Sequence, residues 1–124
     1  MTQITEDYVS FETAKLLKEK GFDEECKIAY FNKTLVDYTM FGFCLGGDLL
    51  YCPTLQMAMK WLREIHKLCI TITPKVTDSE GSGGCLWEWA ITCLLIPQSV
   101  SLELFESYEQ TCEAAIKYCL ENLI

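Results

Sequence analysis

Cys52-Pro53-Thr54-Leu55-Gln56-Met57-Ala58-Met59-Lys60-Trp61-Leu62-Arg63-Glu64-Ile65-His66 reads as an amphipathic helix with a punctuated start. Leu55, Ala58, Met59, Leu62, Ile65 and His66 recur at the three- and four-residue spacing that gathers side chains on one helix face. Lys60, Arg63, Glu64 and Lys67 fall on the opposite, wet face, and Trp61 lies off the main stripe. Pro53 fits a first helical turn, where its missing N–H has no intrahelical partner to lose, while Thr54 competes for the N-cap. An apolar stripe has to be covered. The β-like runs on either side can cover it, and that sets the class as α+β.

Upstream, residues 1–9 read as a polar lead-in. Ser10 has the side chain of an N-cap, with Glu12 in the favourable first turn. Phe11, Ala14 and Leu17 mark one face of a short helix. Gly21 is placed to end it in the left-handed conformation, with Phe22 folding back on Leu17. Lys27 to Phe31 and Leu35 to Leu45 read as strands joined by a tight turn at Asn32-Lys33. In the second run the Val36 face is the more apolar and is expected to point inward. Gly46-Gly47-Asp48 is a turn, and Leu49 to Cys52 is a short strand running into Pro53.

Downstream, Cys69 to Thr73 alternates as a strand and is expected to stop at Pro74. Residues 78–84 read as a loop. Leu86 to Ile96 is the longest expected strand, with Trp87, Trp89, Ile91 and Cys93 on one face and Pro97 at its end. Ser107 and Gln110 have the spacing of a capping box. The helix after them carries Cys112, Ala115, Ile116, Cys119, Leu120 and Leu123 on one side, with Glu113 and Lys117 as an i,i+4 pair. The expected fold is one α+β domain over 1–124, in the order α-β-β-β-α-β-β-α. It has three helices packed mainly on one face of an antiparallel sheet of four to five strands. The two halves are alike in element order but not in residues.

Half of the 124 residues are hydrophobic, which argues against disorder, and the formal net charge is −8. An acidic chain repels phosphate backbones, which disfavours nucleic acid as a partner unless charge is segregated. Some segregation exists, because Lys60, Arg63 and Lys67 share one helix face. Eight cysteines are many for this length, and no two have Cys-x-x-Cys spacing. The N-terminus lacks the basic and apolar regions of a secretory signal, so the expectation is a cytoplasmic protein with reduced thiols buried as small hydrophobes. No apolar run has the length of a membrane span; Glu88 interrupts the most apolar region, Cys85 to Pro97.

Three segments carry a resemblance: Tyr8 to Phe22 (YVSFETAKLLKEKGF), Pro53 to Glu64 (PTLQMAMKWLRE) and Tyr108 to Lys117 (YEQTCEAAIK). Together they resemble a set of small uncharacterised proteins of gut Bacteroidales and their phages and mobile elements. The resemblance covers about a third of the chain and consists of helix starts and core stripes. It implies a bacterial cytoplasm and a phage-derived gene, and brings no activity or site residue with it.

Candidate chemistry is sparse. His66 is the only histidine, and Cys69 follows three residues later, so a thiol nucleophile would be Cys69 or Cys52 paired with His66. The competing reading is that His66 rounds off the stripe and favours the helix C-terminus through the dipole. A zinc site is not expected, because structural zinc draws ligands in close pairs and only His66 and Cys69 are close. Gly81-Ser82-Gly83-Gly84 lacks the Lys-Ser or Lys-Thr and the following helix of a phosphate loop. Trp61, Trp87 and Trp89 either fill the core or form an aromatic patch for a partner.

These features lead to a non-enzymatic interaction or accessory protein that binds a protein partner or a second copy of itself, with no cofactor, metal or membrane. The alternatives are a thiol-dependent enzyme using His66, nucleic-acid binding through Lys60, Arg63 and Lys67, and acidic mimicry of nucleic acid.

Overall fold

The computed structural model describes residues 7–24, 26–31, 33–37, 49–77, 84–93, 96–100 and 104–124. Their elements run α1 (Phe11–Glu19), β1 (Ile28–Phe31), β2 (Thr34–Asp37), β3 (Leu49–Tyr51), α2 (Leu55–Ile65), β4 (Cys69–Thr77), β5 (Gly84–Cys93), β6 (Ile96–Val100) and α3 (Tyr108–Tyr118). A π-turn, Cys119–Leu123, extends α3. The α+β class, the three helices and the antiparallel pairing agree with the sequence.

Among the described residues the strands do not join into the expected single sheet of four to five strands. The strands divide into two three-stranded antiparallel sheets, ordered β2-β1-β3 and β4-β5-β6. The first sheet ends at a three-residue strand, because Pro53 turns the chain into α2 and residues 53–55 pair with the lead-in instead. Val9 N–H donates to the Pro53 carbonyl (3.1 Å) and Leu55 N–H to the Asp7 carbonyl (2.9 Å). Val9 is thereby drawn into the core, so residues 7–9 are more than a polar lead-in. The element order gains a strand, β6, and the halves differ in topology as well as in residues.

The helix ends follow local chemistry. Ser10, Thr54 and Ser107 are the N-caps of α1, α2 and α3, each accepting from the backbone N–H three residues on. Thr54 therefore wins over Pro53, which stays outside α2. Ser107 makes only half of the capping box, since Gln110 returns no side-chain bond. Gly21 takes φ +98°, and Phe22 N–H reaches the Leu17 carbonyl at 2.9 Å, the Schellman closure expected there. At the end of α2 the left-handed residue is Lys67, at φ 60°. A Cβ in that region costs roughly 1 kcal/mol, so Lys67→Gly is expected to raise stability by about 0.5 kcal/mol after its own chain entropy is counted. A matched pair of urea melts measures this.

Both prolines expected to end strands lie inside them. Pro74 pairs with Trp87 in β4–β5, and Pro97 sits within β6. The bonds of Trp87 explain the first case. Its N–H and C=O both go to Phe105, at 2.8 and 2.9 Å, so the Pro74–Trp87 pair is a non-hydrogen-bonded one. The N–H that Pro74 lacks would have pointed to the open side of β4, where nothing in the sheet needs it. β4 and β6 are both edge strands, the positions where proline is tolerated.

The register places Ile70, Ile72, Trp87, Trp89 and Ile91 on one face of the second sheet, against α2 and α3. Thr71, Thr73, Lys75 and Glu88 lie on the other, where Lys75 pairs with Glu88 at 3.3 Å. One core joins all the helices and both sheets, with Leu17, Leu62, Ile91, Ile116 and Leu120 fully buried. In β2 Leu35 is exposed and Val36 half-buried, as the alternation required. The β1–β2 register runs to the pair Phe31–Thr34, and Asn32 of the expected turn lies outside the described residues. Residues 38–48 and 78–83 lie outside the described residues, and with them Cys44, Tyr38, the Gly46-Gly47-Asp48 turn and most of the Gly-rich loop.

The buried face of α2 is wider than the expected stripe but stops short of the helix's last residue. Trp61 is buried (8% exposed) and Ile65 is not (60% exposed). The physical reason is Phe22, which leaves α1 after Gly21 and packs edge-on against Trp61 at 5.4 Å.

Candidate functional site

The N-terminus of α1 meets the middle of α3 beside β1, and the carboxylate of Glu113 holds them together. Its Oε1 accepts from Ser10 N–H at 2.9 Å and from the Thr13 hydroxyl at 2.7 Å. In a capping box a glutamate at the third helical position reaches back to the N-cap N–H. Here that position is Thr13, and Glu113 supplies the acceptor from another helix. The expected Glu113–Lys117 pair is therefore not formed: Lys117 bonds Glu12 at 3.1 Å, and Glu113 Oε2 is shielded without a partner. The dipole of α1 draws both carboxylates to its first turn. Glu113→Ala leaves the Thr13 hydroxyl and a helix N-terminus without their charged acceptor, so it is expected to cost about 2 kcal/mol in a urea melt.

Beneath this junction the Val9 carbonyl accepts from the Tyr30 hydroxyl (3.1 Å) and the Cys52 thiol (3.3 Å). Phe11 stands edge-on to Tyr30. Val9 and Tyr30 also line a cleft of about 790 Å³. Its apolar walls include Tyr8, Tyr30, Leu35, Leu55, Phe105 and Ala114; Asp7, Glu109, Gln110, Glu113 and Lys117 supply its polar groups. Tyr8 (40% exposed) and Leu35 (48% exposed) are two of the few large apolar side chains left in solvent among the described residues, and Leu104 beside Phe105 is another. Sequence reading missed the cleft, because its walls come from the lead-in, β2, α2, the segment before α3 and α3 itself.

The residues singled out from sequence are not gathered at one place. Cys52 is buried and its thiol is pushed up to about 12, first by burial, with the neighbouring Cys26 and Glu113 adding to the effect. It is a protonated hydrogen-bond donor to Val9. Cys69 is exposed on the outer face of β4, and no hydrogen bond joins it or Cys52 to His66. His66 caps α2, with its ring edge-on to Trp61 at 4.7 Å and its Nε2 shielded and unpartnered. Trp89 is buried and tilts against Tyr118 at 4.8 Å; Trp87 is half-buried, edge-on to Tyr108. Lys60, Arg63 and Lys67 are exposed together at α2.

Among the described residues no three of His, Cys, Asp or Glu come together as a metal-ligand set. No helix of the described residues is long and apolar enough to cross a membrane. The chain matches no protein-family model, no curated protein and no solved structure.

Proposed function

We propose that the chain is a non-enzymatic interaction module whose contact surface is the cleft between the lead-in, β2 and α3. The observation that supports this reading is the pair of exposed apolar side chains, Tyr8 and Leu35, at a concave surface that continues inward to Leu55 and Phe105. Apolar side chains grouped around a cleft with a few polar groups are what a partner covers. The thiols add weight from the other side. Cys26, Cys52, Cys112 and Cys119 are buried and held well above the ordinary thiol range, so they are poor nucleophiles at neutral pH. The resemblance of its helix starts suggests an accessory protein of phage origin working in a bacterial cytoplasm.

Light scattering and a lysate pull-down test the reading, with Leu35→Asp beside the natural chain. The expected result is a dimer or a retained partner that Leu35→Asp loses. A strict monomer that retains nothing, or a partner held equally well by Leu35→Asp, would overturn it.

A further inference from the structure

The charge around the cleft says what kind of partner suits it. Asp7, Glu109 and Glu113 line it against a single base, Lys117, and Lys117 is already bonded to Glu12 at 3.1 Å. The N-termini of α1 and α3 add about half a positive charge each, which still leaves the cleft negative. Glu113 is turned toward α1, so the free charge belongs to Asp7 and Glu109, which are exposed and form no ion pair among the described residues. Apolar walls with carboxylates at the rim complement an apolar side chain flanked by cations.

We propose that the cleft binds a basic peptide segment, with an apolar anchor between Tyr8, Leu35 and Phe105 and flanking lysine or arginine beside Asp7 and Glu109. This rests on the cleft being the contact surface and adds the chemistry of the partner. Attraction between rim charges of this kind steers association and weakens with salt, while the anchor sets the residence time.

The test uses the whole chain and a fluorescein-labelled amphipathic Leu/Lys peptide, with its Leu/Glu counterpart as control, read by anisotropy. The Leu/Lys peptide is expected to bind saturably, to weaken as salt rises, and to leave the Leu/Glu peptide unbound. Leu35→Ser and the double variant Asp7→Asn/Glu109→Gln are each expected to weaken it about tenfold. The double variant Glu19→Gln/Glu64→Gln, with the same charge change away from the cleft, is expected to change affinity less than about twofold. Circular dichroism confirms that each variant folds.

Equal losses in the two double variants mean attraction to net charge alone and overturn the proposal, as does equal binding of the Leu/Glu peptide. If the Leu/Lys peptide fails to bind while Leu35→Asp still abolishes a dimer or a retained partner, the contact surface stands and its basic occupant falls. If neither responds to the cleft variants, both readings fall.

Discussion

Raising the pH from 7 to 10 under reducing conditions is expected to remove about 5 kcal/mol of stability, a large part of what a domain this size holds. Four buried thiols carry the effect. Burial pushes Cys26 and Cys112 up to about 11, and Cys52 and Cys119 up to about 12, from an ordinary value of 9.0. In the unfolded chain these thiols return to the ordinary value, so between pH 9 and 11 the unfolded state has lost protons that the folded state retains. Stability therefore falls as pH rises: it is fully present below about pH 9 and drains away up to the folded values. One pH unit above the unfolded value costs somewhat over 1 kcal/mol per thiol, and four act together. Tyr30, raised to about 12 mainly by burial, adds to the loss at the upper end. In a variant with Cys44, Cys69, Cys85 and Cys93 replaced by serine, which keeps the four buried thiols, thiolate absorbance near 240 nm is expected to appear in one cooperative step together with loss of ellipticity. Gradual titration near pH 9 with the fold intact would contradict the burial described for these side chains.

The second large effect is at α2. Trp61→Ala is expected to cost about 3–5 kcal/mol, because it empties the space between Phe22 and His66. Ile65→Ala is expected to change stability by about 0.5 kcal/mol or less, since its side chain is largely in solvent. Urea melts of the two variants compare them directly. A costly Ile65→Ala and a neutral Trp61→Ala would contradict the packing described along the last turn of α2.

That pair also marks where the sequence was legible. At about 100° per residue, Trp61 lies about 40° beyond Ile65 on the same flank of the stripe, and periodicity alone cannot say how far around or along the helix another element reaches. The answer comes from Phe22, more than thirty residues away. The caps were legible for the opposite reason: Ser10, Gly21 and Ser107 act on backbone groups within a few residues of themselves. Pro74 and Pro97 misled because a proline's effect depends on whether its strand is central or at an edge, which pairing alone decides. Glu113 was assigned the nearest base in sequence, while the α1 N-terminus offered two donors from a hundred residues away. The cleft was invisible for the same cause, since Tyr8, Leu35 and Phe105 share no periodic segment.

The bonds between Trp87 and Phe105 have a consequence for what can join this molecule along β4. A neighbouring backbone approaching that nine-residue margin meets proline's ring at its middle, in place of a donor. Continuous strand addition there is interrupted, so stacking into fibrils is discouraged by the same residue that the second sheet accommodates without loss.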